Sequence, residues 1–190
     1  IPDSGILFDN MFFKSGDEIP TERFIQTRIE AEIAFCMKGS LAGEVTREEV
    51  LQATDYVFPS LEILDTRIFR KDENTGKMRT VFDTISDNAA NAGVTSGAQK
   101  NDPQKFDLRR VGSIVLRNNE VEETGLGAGV LNDPITGIIW LVKRLSEYNQ
   151  KISPGEIILS GAFIRPIEAR KGDEFYADFG DFGFVECKFN

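Results

Sequence analysis

The stretch RIEAEIAF, residues 28–35, alternates polar and apolar side chains with the period of two that is typical of a β-strand. Glu30 and Glu32 would then lie together on one face of the strand. The opposite face would carry Ile29, Ala31, Ile33 and Phe35. Two neighbouring carboxylates repel each other, so they are either the solvated face of an amphipathic strand or a site for a positive charge. The spacing alone favours the solvated face.

Helical signals are few. Thr46 with Glu49 three residues later forms a capping-box pattern, which predicts a short helix over residues 47–55. Asp133 followed by Pro134 predicts the start of a second, clearer helix. Its buried stripe would be Ile135, Ile138, Ile139, Val142 and Leu145.

Strand signals are more numerous. A second strand is expected over residues 60–69, after a break at Pro59, and a β-hairpin over 109–124 with its turn at Asn118-Asn119. Further strands, separated by glycines, are expected at 155–163, 172–180 and 183–189. The pattern shows no βαβ alternation, repeat or linker. It therefore predicts one α+β domain over residues 1–190, rich in β-structure, with mixed or antiparallel sheets and few helices.

The charge and hydropathy of the chain argue against two kinds of partner. Acidic residues outnumber basic residues by 31 to 22, which gives a net charge of −9, and no basic stripe offers a surface to nucleic acid. The sequence contains no apolar run near the roughly 20 residues that a membrane span needs, and its start does not resemble a signal peptide. We therefore expect a cytoplasmic protein that binds neither nucleic acid nor membrane.

The sequence contains no histidine. This excludes Ser-His-Asp and Cys-His catalysis, zinc sites built on histidine, and iron sites with two histidines and a carboxylate. Catalysis would then depend on carboxylates, Lys, Arg, Tyr, backbone groups or a hard metal ion. Cys36 and Cys187 are expected to be free thiols rather than a disulfide.

Four groups of residues are candidate sites, and each has a structural alternative. Glu62 on the second strand could join Glu30 and Glu32 in an oxygen-only site for Mg²⁺ or Mn²⁺. The glycines of ETGLGAG (residues 123–129) hint at a dinucleotide loop, but their spacing favours a glycine-rich turn. Residues 81–94 could form an active-site loop or a short helix capped by Ser86 or Asp87, and these two interpretations are compatible. Arg165 would bind an anionic substrate or lie in a surface turn.

Several motifs together resemble a known family. In chain order they are PDSGILFDNMFF, RIEAEIAF, PSLEILDTRI, VFDTISDNAANAGV, EETGLGAGVLNDP and RPIEARKGDEFYADFG. They resemble the 2-keto-4-pentenoate and 2-oxohept-enedioate hydratases of the fumarylacetoacetate hydrolase superfamily, and the similarity covers nearly the whole chain.

The resemblance implies roles for named residues. Glu30, Glu32 and Glu62 would bind Mg²⁺ or Mn²⁺, and Asp3 would be the acid/base. Asn88 and Arg165 are candidates for substrate contacts, with Arg165 facing a distal carboxylate. The family also uses a lysine upstream of this position, which has no counterpart here, so an N-terminal part of the family's polypeptide is expected to be absent.

The implied reaction is addition of water to a 2-hydroxy-2,4-dienoate or 2-oxo-enoate, such as 2-oxohept-enedioate, to give a 4-hydroxy-2-oxo acid in aromatic catabolism. The protein would be a divalent-metal-dependent hydro-lyase acting on a small molecule. It would form homo-oligomers and could associate with another enzyme of its pathway. The alternatives are a 4-oxalocrotonate-type decarboxylase and an inactive partner subunit.

Overall fold

The computed structural model describes residues 2–190, and strands provide most of their regular structure. The strands of the described chain are β1 (Phe12–Lys14), β2 (Glu18–Ile19), β3 (Arg28–Met37), β4 (Thr54–Leu64), β5 (Asn91–Ser96), β6 (Gly112–Arg117), β7 (Glu120–Leu126), β8 (Ile157–Leu159), β9 (Ile167–Glu168), β10 (Glu174–Asp178) and β11 (Phe184–Phe189). The α-helices are α1 (Arg47–Ala53), α2 (Val81–Ser86) and α3 (Pro134–Ser146).

The strands form two sheets. One has the order β1-β5-β4-β3-β8, with β9 also pairing with β3, and the other has the order β2-β11-β10-β6-β7. Most pairs are antiparallel, whereas β1 with β5 and β2 with β11 are parallel. The prediction of an α+β fold with mixed and antiparallel sheets and few helices is confirmed.

The two sheets share one apolar core. On β3 the odd-numbered residues from Ile29 to Phe35 are fully buried, and Leu61 and Ile63 on β4 lie on the same side because they pair with Ala31 and Ile29. The same cluster includes Val115, Phe175 and Phe189 of the second sheet. The apolar half of the period-two pattern therefore fixes β3 in the core. It leaves the even-numbered residues for the opposite face.

Several local predictions are confirmed. The helix α1 follows Thr46, whose side chain and that of Glu49 form the predicted capping box. The helix α3 begins with Pro134 after Asp133, whose carboxylate accepts a hydrogen bond from the Ile135 amide at 3.0 Å. The hairpin of β6 and β7 turns at Asn118 and Asn119, whose φ angles of 54° and 67° are those of a type I′ turn.

Two local predictions are wrong. The second strand starts at Thr54, not residue 60, and passes through Pro59 instead of breaking there. Pro59 is tolerated because the carbonyl of its partner Ile33 faces away from β4 and accepts a hydrogen bond from the Ser160 N–H, just after β8, so it does not need a Pro59 N–H. The cap of α2 is Thr80, which forms a capping box with Asp83, and not Ser86 or Asp87, which lie at its C-terminal end.

Two further expectations concern the thiols and the helices. Cys36 and Cys187 are both free, as predicted, and burial raises the pKa of Cys187 to about 12. Among residues 2–190, no helix combines the length and the apolar character that crossing a bilayer would require.

Candidate functional site

Three carboxylates meet on the polar face of the β3 and β4 pair. Glu30 lies directly opposite Glu62 in the antiparallel register, and Glu32 lies on the same face two residues further along β3. One carboxylate oxygen from each residue lies within 4.8 Å of those from the other two. Glu32 is only 2% exposed, so this face of the sheet is not a solvated surface at Glu32. We call Glu30, Glu32 and Glu62 the carboxylate cluster.

Burial raises the pKa of all three side chains, and repulsion within the cluster adds to the rise at Glu30 and Glu32. Burial raises the pKa of Glu30 to about 8, and the nearby charges of Glu62 and Asp3 add to this rise while Arg28 opposes it. The pKa of Glu32 lies well above its ordinary value because of burial and then because of Glu62. Burial also raises the pKa of Glu62. Without a cation, the three groups cannot all be ionised near neutral pH.

Two neighbouring residues orient the cluster. The backbone N–H of Gly161, in the loop after β8, donates to Glu32 Oε2 at 2.7 Å. Asn91, at the start of β5, donates from Nδ2 to Glu62 Oε1 at 2.7 Å. Sequence reasoning named neither residue as part of the site. Asn91 lies in the polar segment 81–94, which the sequence indicated as a candidate active-site loop. No signal in the sequence connects Gly161 to β3.

The cluster fits a hard divalent cation. It offers only oxygen donors, and no Lys or Arg forms an ion pair with its members within the described residues 2–190. Asn91 Oδ1 is buried and has no hydrogen-bond partner. Three converging carboxylates with raised pKa values are stabilised when a bound cation replaces the protons. The donor chemistry and the burial are therefore those of a site for a hard divalent cation.

The segment that carries Asp3 is fastened close to this cluster by Asn88. The side chain of Asn88 accepts a hydrogen bond from the Ile6 amide at 2.7 Å and donates to the Ile6 carbonyl at 3.0 Å. Gly5 lies so close to Asn88 that a Cβ would stand 2.3 Å from its carbonyl oxygen. Asp3 itself is exposed, but partial burial of its carboxyl raises its pKa, and its charge raises the pKa of Glu30 and Glu62.

The corner that holds Asn88 has an unusual backbone. Asn88, Ala89 and Ala90 have φ angles of 53°, 56° and 59°, which are left-handed values that cost non-glycine residues about 1–3 kcal/mol each. Arg67 fastens this corner by donating hydrogen bonds to Asp87 and to the carbonyl of Asn91. The strained corner thus connects the clamp on the N-terminal segment to the residue that orients Glu62.

Arg165 has a different environment from the carboxylate cluster. Its Nε and a terminal nitrogen each lie 2.7 Å from Glu123 Oε2 on β7, and its side chain is 85% exposed. Arg165 is therefore already paired with a carboxylate of its own chain.

The glycine-rich segment borders a cleft of about 880 Å³ that none of the three clustered carboxylates lines. A Cβ on Gly127 would stand 2.1 Å from the Leu108 carbonyl oxygen, so the glycine permits two backbones to approach. Gly127 is therefore required by close backbone packing. This supports the interpretation of the segment as a glycine-rich turn rather than a dinucleotide-binding loop.

Comparison with known proteins adds two relatives. The chain is 49% identical over 189 residues to 2-oxo-hept-4-ene-1,7-dioate hydratase of Escherichia coli. The aligned region covers 99% of this chain and 71% of that protein. It is 37% identical over 189 residues to 2-keto-4-pentenoate hydratase of Paraburkholderia xenovorans, covering 99% and 68%. The chain belongs to the 2-keto-4-pentenoate hydratase family. No model in a scan of protein families matches the chain.

Solved structures agree with this family. The 4-oxalocrotonate decarboxylase of Pseudomonas putida G7, complexed with magnesium and adipate, superimposes with a TM-score of 0.90 at 29% identity, covering 98% of this chain and 69% of that one. The fold is that of the fumarylacetoacetate hydrolase superfamily, and the expected resemblance is confirmed.

The first prediction concerns thermal stability. Adding Mg²⁺ at about one hundred times its Kd to the EDTA-treated protein should raise the Tm by roughly 5–10 °C, because the cation binds only the folded cluster. In Glu30→Gln most of this rise should be lost, as measured by differential scanning fluorimetry. Glu122→Gln, at an exposed position on β7, is the matched control and should keep the full rise. An unchanged rise in Glu30→Gln would contradict the assignment of a metal ligand.

The second prediction concerns pH. A folded-state pKa raised from 4.5 to about 8 at Glu30 means that the folded protein binds more protons than the unfolded chain between these values. The free energy of unfolding of the metal-free protein should therefore fall as pH rises through this window. The rise in Tm on adding Mg²⁺ should grow over the same window, because the cation competes with fewer protons. Melting curves from pH 5 to pH 9 in EDTA and in Mg²⁺ test both trends, and a metal effect independent of pH would contradict them.

Proposed function

We propose that this protein is a divalent-metal-dependent hydratase that adds water to a 2-hydroxy-2,4-dienoate or 2-oxo-enoate and yields a 4-hydroxy-2-oxo acid. The carrying observation is the carboxylate cluster on β3 and β4, in a chain 49% identical to a 2-oxo-hept-4-ene-1,7-dioate hydratase. By the same likeness, the favoured substrate is 2-oxo-hept-4-ene-1,7-dioate, and the pathway is the breakdown of aromatic compounds.

Glu30, Glu32 and Glu62 would hold the metal ion, with Mg²⁺ as the preferred ion and Mn²⁺ as its substitute. When bound, such an ion acts as a Lewis acid toward the substrate's C1 carboxylate and C2 oxygen, and so stabilises negative charge on that oxygen. The Gly161 N–H and the Asn91 side chain fix the carboxylates of Glu32 and Glu62, so the substrate's reacting end is held in one orientation.

Asp3 is proposed to move protons. The dienol loses its 2-hydroxyl proton and gains a proton at C5, which leaves a C3–C4 double bond conjugated to the 2-oxo group. Water then adds its hydroxyl group at C4 and a proton at C3. The raised pKa of Asp3 makes its carboxyl a better proton donor near neutral pH, and Asn88 positions it through Ile6. In this proposal Asn88 has two roles. It holds the segment that carries Asp3, and it contacts the substrate.

The third prediction tests this assignment. Asp3→Asn should lower kcat for a 2-hydroxy-2,4-dienoate by about 10²- to 10⁴-fold, because proton transfer by a positioned side chain is lost. The decay of dienol absorbance measures this rate. Asp9→Asn, an exposed acid of the same segment, is the control and should keep the wild-type kcat. Equal rates for Asp3→Asn and wild type would rule Asp3 out as the acid/base.

The alternative function is decarboxylation of a 2-oxo acid of the 4-oxalocrotonate type, favoured by the TM-score of 0.90 to such a decarboxylase. Simultaneous measurement of dienol loss and CO₂ release separates the two reactions. CO₂ release at the rate of substrate loss would support the decarboxylase. A protein that turns over neither substrate but activates a pathway enzyme would be the inactive partner subunit.

We further propose that residues 1–190 act as one catalytic domain in a cytoplasmic homo-oligomer. The outer face of the second sheet supports self-association, because Ile114, Leu126, Tyr176 and Phe184 are between 36% and 56% exposed there. The rings of Tyr176 and Phe184 stack with centroids 5.4 Å apart. An apolar face of this kind is typical of protein interfaces.

The fourth prediction follows from that face. The protein should elute as an oligomer, and Phe184→Lys should shift it toward a smaller species because a charge replaces a buried ring at the interface. Size-exclusion chromatography with light scattering measures the mass. Lys143→Glu, a charge change at an exposed position on α3 and outside that face, is the control and should leave the mass unchanged. A wild-type monomer would contradict the proposal.

A further inference from the structure

Three arginines gather beside the carboxylate cluster. Arg28 begins β3 and lies on the same face as Glu30, two residues away, while Arg70 and Arg79 belong to the segment between β4 and α2. Arg28 and Arg79 both act electrostatically on Arg70, and Arg28 also acts on Glu30. Burial lowers the pKa of Arg70, and the positive charges of Arg28 and Arg79 lower it further, whereas Arg28 opposes the rise in the pKa of Glu30. We call Arg28, Arg70 and Arg79 the arginine cluster.

The hydrogen-bonding capacity of the arginine cluster is partly unused. The Nε atoms of Arg28 and Arg70 are buried and have no hydrogen-bond partner. Arg70 donates from a terminal nitrogen to the Gln26 carbonyl at 2.9 Å, and Arg79 donates to Thr66 Oγ1 at 2.7 Å. In the described part of the chain, only the two Nε atoms of these groups are buried without an acceptor, whereas the guanidinium groups as a whole are half-buried, so their remaining N–H groups can still donate to an anion.

The acids nearest to the arginine cluster are already committed. Asp65 accepts hydrogen bonds from the backbone amides of Ile25 and Gln26 at 2.6–3.0 Å. Glu168, opposite Arg28 on β9, pairs with Arg170 at 2.9 Å. Asp65 and Glu168 raise the pKa of Arg70, but burial and the charges of Arg28 and Arg79 lower it by more. Within residues 2–190, no carboxylate lies within 4.0 Å of a guanidinium nitrogen of the three arginines. Positive charge therefore remains available.

We infer that the arginine cluster binds the distal carboxylate of a dicarboxylate substrate whose 2-oxo acid end lies at Glu30, Glu32 and Glu62. This inference rests on the proposed function and assigns the residues that would hold the far end of its substrate. Along β3, Arg28 and Glu30 are separated by about 6.6 Å at their Cα atoms, which suits the two ends of an extended linear diacid. Guanidinium groups recognise carboxylates through paired hydrogen bonds, which also fix the direction of the bound chain.

The sequence analysis assigned the distal carboxylate to Arg165. This arginine differs from the arginine cluster in its exposure and in its existing carboxylate partner. It is exposed and is already paired with Glu123, whose pKa it lowers. The arginine cluster is partly buried and lacks a carboxylate partner. Arg165 is therefore the matched control for the arginine cluster.

The fifth prediction measures binding without turnover. In the presence of Mg²⁺, isothermal titration calorimetry should show that 2-oxoadipate binds more tightly than 2-oxohexanoate, which has the same chain length but no distal carboxylate. Arg70→Met and Arg79→Met should each weaken 2-oxoadipate binding by about 10- to 100-fold and change 2-oxohexanoate binding by less than about 2-fold. Arg165→Met should change neither. Arg79→Lys, which keeps the charge, should retain part of the preference for the diacid.

These outcomes separate the inference from the proposed function. Equal binding of the two ligands by the wild type, equal losses for both in the Arg70 and Arg79 variants, or a diacid-selective loss in Arg165→Met would overturn the inference. The Mg²⁺-dependent rise in Tm of each variant shows that it is folded, and binding of 2-oxohexanoate shows that its carboxylate cluster is intact. If the wild type prefers 2-oxoadipate but hydrates no dienoate, the proposed function fails while the diacid site stands.

Discussion

The repulsion among Glu30, Glu32 and Glu62 is the constraint around which the rest of the structure is arranged. An antiparallel register that places Glu30 opposite Glu62 is unfavourable when both are ionised, and burial of Glu32 makes it more so. The apolar face of the same strands sets this register, because any shift by one residue would expose Ile29 and Ile33. The core therefore stabilises an arrangement that the carboxylates oppose, and a divalent cation removes the opposition.

The supporting residues come from distant parts of the chain. Gly161 follows β8, and Asn91 begins β5, yet both donate hydrogen bonds to the cluster. The left-handed corner at residues 88–90 leads directly into Asn91 and also clamps the segment that carries Asp3. Backbone strain at this corner thus has a physical account: one short segment holds two parts of the site in place.

Two groups of opposite charge lie along one face of β3. The carboxylate cluster suits a cation and the 2-oxo acid end of a substrate, and the arginine cluster suits a second carboxylate. A linear diacid would match both, whereas a monoacid would leave Arg28 and Arg70 with unused buried donors. Discrimination of this kind depends on polar groups that lose their partners when the wrong ligand binds.

The sequence by itself determined the elements that depend on neighbouring residues. The alternation in RIEAEIAF, the Thr46 and Asp133 caps, and the Asn118-Asn119 turn are local signals, and each appears in the structure as predicted. The lack of histidine also limited a metal site to hard oxygen ligands. The predicted strand break at Pro59 was wrong. Whether a strand can contain this proline depends on which neighbouring strand accepts or donates the hydrogen bonds of Ile33, and local sequence does not show that.

Only the tertiary structure decided how the two glutamates of β3 are used. Spacing alone favoured a solvated face, and burial of Glu32 beneath the loop at Gly161 excludes that environment for it. The partners Asn91 and Gly161, and Arg70 and Arg79 of the arginine cluster, lie tens of residues from Glu30 in sequence. Their proximity follows from strand pairing and loop packing, which a linear pattern does not encode residue by residue.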